Sequence, residues 1–585
     1  MIKPYLDNTE RKSDMITAFF GLNRGAVISE NEFAAEENMS SDSFPLLCSR
    51  KKRMGFAVTG ELSSLFSKEK LGYIKDGSLF YGGERVTGLT LASSVTKRQL
   101  VSFGAYLLIF PDKLYVNTRD LSDCGSLESS YEKVQGVNAE YTLCDYDGNE
   151  YTGFTAAAAP PSSPQNGALW IDTSVSTHIL KQYSEFFSGW VDIESVYVKI
   201  SAPNIGRSFK VYDGVTISGA PAQNLNGAHI IKALTDDSIT VTGIIDSALT
   251  SQAALTVERR VPDMDFYCEC GNRVWGCSSE KNEIYASKLG DASNWSCFEG
   301  ISTDSFAVSV GTDGEFTGTV SYRGYAMFFK ENHLHKIYGS YPPFTVTAAA
   351  LRGVQKGSEK SLAILNETLY YKAPDGVMMY DGGLPMCISE AFGAEHYVNA
   401  CAGVLRDKYY ICMSDRLGVR QLFTYDEKRR IWHREDNTDV SEFVNHNGNL
   451  FFIAESGSTL RLFSADSENM HGNFNADLAG FSPEEDIRWS AETGLWGLKL
   501  PENKYYSGIT VRFTGDEGAV LEIYLSCNGG EWQKKAQVKV RGVSSVRLPL
   551  TSPRCDNFRL KLCGTGKIGI MSIARTVEGG SGLNG

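Results

Sequence analysis

The sequence contains no long apolar run. The run AYLLIF, from Ala105 to Phe110, stands out most and is far too short to span a bilayer. The opening MIKPYLDNTERKSD lacks the apolar segment of a signal peptide. We therefore expect a soluble protein without a signal peptide and without membrane insertion.

The sequence also has no excess of basic charge. It carries 57 Lys and Arg against 70 Asp and Glu, which gives a net charge of −13. Binding to nucleic acid without regard to sequence depends mainly on neutralising phosphates with Lys and Arg. The acidic balance therefore argues against that class of protein.

Common catalytic signatures are missing as well. We find no phosphate-binding glycine loop, no HExxH helix and no nucleophile elbow. The sequence therefore assigns no catalytic and no cofactor-binding residue, and we expect neither a cofactor nor enzymatic activity.

Cysteine and histidine pairs offer the nearest approach to a metal site. Cys268 and Cys270, with Cys277 nearby, lack a second Cys/His pair at zinc-site spacing. His333 and His335 lack an evident third ligand. Residues i and i+2 of a strand share one face, so each pair is better explained as part of a core, and we assign no metal ligand. The 13 cysteines, an odd number, fall mostly in strand-like runs, which indicates reduced, buried thiols.

What the sequence does contain is a repeated hairpin. Two strand-like runs joined by a polar turn recur five times, and the equivalent positions are 52, 43, 40 and 41 residues apart, at Trp275, Met327, Tyr370, Tyr410 and Phe451. A period of about 40 to 50 residues built from hairpins is typical of β-propeller blades. An ordinary sandwich of irregular hairpins is the alternative, but its strands need not recur at a fixed interval. The pattern favours an all-β propeller.

Changes in composition divide the chain. Residues 1–154, with two more hairpins, are predicted to be the N-terminal part of the propeller, and Phe44 to Leu47, followed by the cations Arg50 to Arg53, suits a strand that closes a ring. The linker TAAAAPPSSPQNGALW then introduces residues 155–257, predicted to be an inserted small β-barrel domain, because surface loops accept long inserts at small entropic cost.

The remainder of the propeller is assigned to residues 258–475. Eight short runs from Ile487 onward, separated by Gly, Asn and Pro, predict a C-terminal β-sandwich of jelly-roll type over residues 476–578. Residues 579–585 are predicted to be a flexible tail.

Three stretches give the chain a resemblance to a known family. Asn38 to Arg50, NMSSDSFPLLCSR, fits the pattern N-x-S-x-D-x-(Y/F)-P-x-L-x-x-R, the blades from Asn282 follow a shared order, and PPSSPQNGALWIDTS is similar to a recurring small module. These stretches resemble the β-propeller tail proteins of tailed bacteriophages, a group that includes nozzle and hub components. The resemblance covers about two thirds of the chain.

The resemblance implies a structural protein of the virion tail, synthesised in the host bacterial cytoplasm and acting in assembly and genome delivery. It implies a closed homo-oligomeric ring, with six-fold symmetry favoured, which contacts other tail proteins and surrounds a DNA path. DNA would pass through the lumen without specific binding, so we expect an acidic or neutral bore.

Two other functions remain open from the sequence. The first is binding of a host-surface glycan or receptor, in which Trp489, Trp496 or Trp532 could stack on sugars. The same tryptophans could equally be core residues, which is the commoner outcome for Trp in a small sandwich. The second is a propeller glycosidase, because the turn Ser526 to Trp532 is similar to the Asp-box of sialidases. That turn is a fold element, and no spacing identifies the carboxylates, arginines and nucleophile that such an enzyme needs.

Overall fold

The computed structural model describes residues 11–457, 459–468, 482–498, 505–548 and 554–578. Throughout these ranges the chain is built from β-strands, and helix is limited to three short 3-10 turns at Gln223–Leu225, Glu359–Ser361 and Glu390–Phe392. No helix in the described part is long and apolar enough to cross a membrane. The predicted all-β propeller class is confirmed.

The chain divides into two compact units. One unit comprises Met1–Lys97, Phe328–Leu334 and Ala349–Gly585, and the other comprises Arg98–Met327 and His335–Ala348. Within the described residues, seven sheets of the blade type are distributed over the two units. We number these sheets as blades in the order of their second strands.

Blades 1, 5, 6 and 7 lie in the first unit and pair consecutive strands as antiparallel meanders. Blade 1 consists of Leu62–Ser67, Leu71–Lys75, Ser78–Tyr81 and Glu84–Arg85. Blade 5 consists of Ala363–Leu365, Thr368–Ala373, Gly376–Tyr380 and Met386–Cys387. Blade 6 consists of Val398–Leu405, Lys408–Ser414, Arg420–Asp426 and Ile431–Arg434. Blade 7 consists of Val440–His446, Asn449–Ser456, Thr459–Ser464, Met54–Gly60 and Ser482–Pro483.

Blades 2 and 3, and most of blade 4, belong to the second unit. Blade 2 consists of Gln99–Phe103, Tyr106–Phe110, Leu114–Asn117 and Asp120–Ser126. Blade 3 consists of Phe266–Cys270, Arg273–Ser278, Glu283–Ala286 and Phe306–Ser309. Blade 4 consists of Phe316–Tyr322, Tyr325–Lys330, His333–Tyr338 and Thr345–Ala350.

Local sequence explains the central strands of the blades. The five repeated hairpins form the second and third strands of blades 3 to 7, which confirms that prediction. In the second strand of blade 5, five of six residues are buried, as expected for a strand covered on both faces. In blade 1, Asp76 and Gly77 both have positive φ, at 48° and 68°, and these values suit the two-residue turn that matches the strand twist.

The strand that completes the last blade differs from the prediction. Phe44 to Leu47 was the predicted closing strand, but the strand that joins blade 7 is Met54–Gly60, which pairs with Thr459–Ser464. Met54, Phe56 and Val58 are buried at alternating positions. The apolar strand therefore follows the cationic run and does not precede it.

The insertion is an eight-stranded sheet. Its strands, in spatial order, are Ser129–Glu132, Thr256–Arg259, Gly214–Ser218, Gly227–Thr235, Ser238–Thr242, Tyr197–Ser201, Ala139–Cys144 and Leu249–Ser251. The first and last strands do not pair with each other in this fully described region, so the predicted barrel is an open sheet. The sheet also begins at Ser129, within the range 1–154 that was predicted to be propeller, because the Ala/Pro linker marks a loop inside the insertion and not its start.

A second sheet lies within the same insertion. Thr155–Ala157, Leu169–Asp172, Ile179–Ser184 and Gly189–Asp192 form a four-stranded sheet whose first pair is parallel. Three of these strands were predicted. The fourth, Thr155–Ala157, comes from the predicted linker, and we call the whole sheet the small module.

The C-terminal sandwich uses both ends of the described chain. One sheet contains Met39–Ser40, Leu47–Ser49, Ile568–Glu578, Tyr505–Gly515 and Ser544–Arg547, with Arg11–Ile16 paired to Ile568–Glu578. The other contains Phe33–Glu37, Arg488–Thr493, Phe558–Thr565, Val520–Cys527 and Gln533–Lys539. Phe19, Phe33, Met39 and Leu47 lie in one core with the C-terminal residues.

The sandwich thus departs from the predicted boundaries. Residues 11–49 were assigned to the propeller, yet their strands pair within the sandwich, because those pairings join residues more than 450 positions apart and leave no local pattern. Seven of the eight predicted C-terminal runs are strands. In the remaining run, GLWGLKL, Trp496 makes an isolated bridge to Phe558. The predicted tail, 579–585, and much of the predicted boundary segment before the sandwich lie outside the described residues.

Candidate functional site

The motif Asn38 to Arg50, one of the three stretches that carry the family resemblance, lies where the sandwich meets blades 6 and 7. Asn38 separates two strands and has φ of 55°, a conformation that Asn tolerates better than most residues. Its amide donates to the Arg488 carbonyl at 2.8 Å, and its side-chain oxygen accepts from Nε of Arg50 at 2.6 Å. The backbone N–H of Asn38 donates to the Glu435 carbonyl at 2.5 Å. One residue therefore bonds to both the sandwich and the end of blade 6.

The serines and the aspartate of the motif contact blade 6. Ser41 donates to Oδ2 of Asp426 at 2.6 Å. Lys408 donates to Ser40 at 2.8 Å and to Asp42 at 2.6 Å. Burial alone would raise the pKa of Asp42, but Lys408 outweighs it and holds that pKa below its usual value. Asp42 is therefore ionised at neutral pH.

The apolar residues of the motif contact both the sandwich and blade 6. Leu47 is buried in the sandwich core. The Phe44 ring lies beneath the guanidinium of Arg429 in blade 6, with 5.3 Å from its carbon to the ring centroid. It also contacts the Phe20 ring edge-on, at 5.7 Å between centroids. A single turn thus packs against both domains.

Two arginines of the cationic run form buried ion pairs within the site. Arg50 donates to both carboxylate oxygens of Glu484, at 2.7 and 2.9 Å, a bidentate pairing. Arg53 donates to Oδ2 of Asp436 at 2.8 Å and to Glu435 at 2.6 Å. Both arginine side chains are less than a tenth exposed. We call Asn38–Arg53, with its partners Lys408, Asp426, Glu435, Asp436 and Glu484, the junction.

The pKa directions within the junction have one physical cause. Burial acts to raise the pKa of Asp436 and Glu484, but the neighbouring guanidinium groups of Arg53 and Arg50 lower both pKa values below the usual range. The pKa of Arg53 is raised, since its acidic partners outweigh the burial of its charge. Asp436, Glu484 and Arg53 are therefore ionised at neutral pH.

A cleft of about 220 Å³ opens beside the junction. Its lining includes five cationic and five anionic side chains, together with Tyr410. At its rim, Asp466 accepts from Arg406 at 2.8 Å and from Lys51 at 3.1 Å. The Arg429 guanidinium is held 2.9 Å from Asp426. Charges in the cleft thus already have protein partners.

The predicted cysteine and histidine pairs are core residues. Cys268 and Cys270 are buried in blade 3, and burial raises the pKa of the Cys268 thiol to about 12. Cys277 is fully buried as well. His335 is buried and its Nε2 lies 2.9 Å from the Thr312 hydroxyl, while His333 is half-buried. Among the described residues no group of three or more His, Cys, Asp or Glu is placed to hold a metal ion.

The tryptophans proposed for sugar stacking divide into two kinds. Trp489 and Trp496 are 2% and 1% exposed in the sandwich core, so neither presents a stacking face, and both follow the core alternative. Trp532 is half-buried, with the Arg559 guanidinium 5.4 Å from its ring centroid. The Asp-box-like turn that precedes it closes through Ser526, which donates to the Gly530 carbonyl at 2.5 Å. It is a turn of the sandwich.

Sequence reasoning missed the acidic half of the junction. Glu435, Asp436 and Glu484 lie hundreds of residues from Arg50 and Arg53 in the chain, in polar segments without period. The only usable signal was the cationic run itself, because buried cations require nearby acids. That signal predicts the existence of partners without identifying them.

Comparisons with known proteins leave the family unassigned. No family model and no curated protein matches the chain. Among solved structures, an exo-β-1,3-galactanase from Phanerochaete chrysosporium is 12% identical, covers 53% of this chain and 94% of its own, and has a TM-score of 0.21. The endosialidase of phage phi92 is 10% identical, with coverage of 73% and 72% and a TM-score of 0.21. A Trypanosoma rangeli sialidase is 8% identical, with coverage of 96% and 95% and a TM-score of 0.20.

These matches correct one expectation. No enzymatic activity is expected from the sequence, whereas the matching structures are a galactanase, an endosialidase and a sialidase. The exclusion of an enzyme is therefore contradicted. At TM-scores of 0.21 or below, the same matches assign no reaction to this chain.

Proposed function

We propose that the chain is a component of a bacteriophage tail, a nozzle or hub type of ring around the DNA path that acts in virion assembly and genome delivery. The supporting observation is the use of the family-like motif. Asn38, Asp42 and Arg50 each bond to a part of the chain distant in sequence, and together they fasten the sandwich to blades 6 and 7. Such a motif builds a rigid block, which is what a ring subunit needs.

The charge distribution supports a lumen through which DNA slides. Each phosphate neutralised by Lys or Arg adds affinity for DNA and would slow its passage. The chain carries a net charge of −13, and the junction cations Arg50, Arg53 and Lys408 are paired with acids of the same chain. We infer an acidic or neutral bore.

The insertion offers a contact for neighbouring tail proteins. Phe186 and Phe187 occupy the turn between the last two strands of the small module and are 89% and 70% exposed. Their rings meet edge-on at 5.0 Å between centroids, so they form one apolar tip. Exposed apolar groups of this size mark interaction sites. We infer that this tip inserts into an apolar pocket of an adjacent tail protein.

Assembly in the producing cell tests the proposal. The double variant Phe186→Ser/Phe187→Ser should fold normally, yet enter virions at a strongly reduced level. Leu417→Ser is the matched control, because Leu417 is also 89% exposed at a turn but lies on blade 6. Equal incorporation of both variants contradicts the proposed contact.

The ring itself is proposed as a homo-oligomer, six-fold by the family resemblance. Protomers are expected to stay monomeric until a neighbouring tail protein templates closure. A titration of the purified chain with DNA at low salt should show weak binding. Tight, salt-sensitive binding contradicts a sliding conduit.

A second candidate is glycan binding and hydrolysis in the cleft beside the junction. The observation that favours it is the lining, because Arg50, Arg406 and Arg429 surround carboxylates and Tyr410, which are residue types that a sialidase-like enzyme requires. Incubation with a panel of fluorogenic glycosides tests it. Hydrolysis that is lost in Asp426→Asn supports this candidate, and the absence of hydrolysis across the panel contradicts it.

A further inference from the structure

Two cysteines of blade 6 lie side by side on neighbouring strands. Cys401 is directly opposite Cys412 in the antiparallel pair formed by the first two strands. Opposite residues in such pairs have Cα atoms about 4.5 to 5.5 Å apart, within the range of about 4.4 to 6.8 Å found for disulfides. The backbone therefore already has the separation that a disulfide requires.

The surroundings hold both sulfur atoms in place. Cys401 and Cys412 are 4% and 0% exposed and share an apolar cluster with Val440 and Phe452 of blade 7. The Cys401 thiol donates to the Val440 carbonyl at 3.0 Å, and the Cys412 thiol donates to the Thr438 carbonyl at 3.4 Å. Both side chains are therefore packed between blades 6 and 7.

A guanidinium group lies next to the pair. Nη2 of Arg420, on the third strand of blade 6, is 3.3 Å from Sγ of Cys401. Burial acts to raise the pKa of both thiols, and the pKa of Cys401 is raised well above its ordinary value. For Cys412, the neighbouring Cys401 thiol and the charge of Arg420 outweigh burial and lower the pKa. The thiolate, which is the reactive form, is therefore favoured at Cys412.

We propose that Cys401 and Cys412 are a redox site that forms an intrachain disulfide in the presence of a low-molecular-weight disulfide. The Cys412 thiolate attacks one sulfur of the small disulfide, which forms a mixed disulfide and releases one small thiolate. The Cys401 sulfur, after losing its proton, attacks Sγ of Cys412 and releases the second. Two protein thiols are oxidised, one small disulfide is reduced, and the two protons end on the two released thiols.

The position of this pair sets it apart from the other cysteines. Cys268 is opposite Trp275, and Cys270 is opposite Arg273. Within the part of the chain that the structure describes, Cys401 and Cys412 are the one pair of cysteines in direct register on neighbouring strands. The inference rests on this geometry and does not depend on the proposed tail function.

The test uses the purified full-length chain and 2-hydroxyethyl disulfide, a small neutral probe. Free thiols are counted after denaturation, and linked peptides are mapped by mass spectrometry without reduction. The count should fall by two from the initial 13, slowly, because attack on a buried pair needs transient opening of the hairpin. The linked peptides should contain Cys401 and Cys412.

Variants sharpen the assignment. Cys401→Ala should lose no thiol pair, whereas the matched control Cys268→Ala, also a buried cysteine on a blade strand, should still lose two. Arg420→Met retains both cysteines and should slow the reaction, because loss of the guanidinium charge lowers the thiolate fraction at Cys412. A wild-type chain that keeps all 13 thiols, or a disulfide that maps to other cysteines, overturns the proposal.

Discussion

Replacing Arg50 by leucine removes the centre of the junction. The Arg50 side chain is 4% exposed and donates to the Asn38 side chain, to the Lys51 carbonyl and to both oxygens of Glu484. Leucine retains part of the packing volume but none of these bonds. Glu484 is then left without its bidentate partner, and Asn38 loses the donor that fixes its side chain.

The size of the effect follows from burial. Breaking a buried ion pair by removing one partner costs about 3 to 5 kcal/mol. Glu484 retains 35% side-chain exposure, and Asp436 keeps Arg53, so the lower limit applies. We expect about 3 kcal/mol, which corresponds to a ~100-fold larger population of locally opened junction.

Hydrogen exchange measured by mass spectrometry reports this local opening without assuming that the whole chain unfolds at once. Peptides covering Leu47–Ser49 and Arg488–Thr493 should exchange ~100-fold faster in Arg50→Leu. Lys52→Leu is the control, because its pair with Asp486 is 2.8 Å long but exposed, at 40% and 73%, and an exposed pair contributes at most about 1 kcal/mol. Equal exchange in the two variants refutes the role assigned to the junction.

Three other predictions concern single residues. The folded-state pKa of Asp436 is depressed, so the stabilisation that its carboxylate provides is present above pH about 4 and is lost as the pH falls below that value. The Tm of Asp436→Asn should therefore fall less than the Tm of the wild type between pH 6 and pH 3. Parallel curves of Tm against pH for the two proteins contradict this. Burial lowers the pKa of Lys372 to about 8, so folding favours the neutral amine. Chemical denaturation should show that Lys372→Met raises the free energy of unfolding by about 1 to 3 kcal/mol at pH 7, and that this gain shrinks as the pH approaches 10.5. A gain that is independent of pH contradicts the prediction. Gly21→Ala should lower Tm by several degrees, because φ is +71° and the added Cβ would clash with Cγ2 of Ile431. Gly77→Ala is the control, because Gly77 has a similar φ but open space around it, and this change should cost only about 1 kcal/mol. Equal changes in Tm contradict the close packing of Gly21 against Ile431.

The repeated part of the fold could be predicted from the sequence because its signal is local. Each blade hairpin places an apolar strand, a polar turn and a second strand within about 20 residues, so Tyr370 and Phe451 revealed equivalent positions without any knowledge of contacts. Seven C-terminal strands were found for the same reason.

Long-range pairings could not be predicted in this way. Leu47 belongs to a strand that pairs with Ile568–Glu578, and Met54 belongs to a strand that pairs with Thr459–Ser464. Both strands are short and apolar, and no residue pattern near either strand indicates which sheet that strand will join. The assignment of Leu47 to the propeller was wrong because only tertiary packing separates the two cases.

About half of the candidate site could be predicted from the sequence. The motif around Asn38 and the cations Arg50 and Arg53 were singled out from the sequence, whereas their acidic partners were not, since surface and junction carboxylates look alike in one sequence. The fates of Trp489 and Trp532 were likewise undetermined, because a tryptophan on an alternating strand fits either face until the second sheet of the sandwich is known.

The most direct test of the proposed tail function is cryo-electron microscopy of virions that carry this protein with a small tag at its C-terminus. We expect tagged density in a closed ring on the tail axis, with DNA density passing through the lumen. The family resemblance favours six-fold symmetry for this ring. Tagged density found as separate subunits at the tail periphery, or absent from the virion, contradicts it.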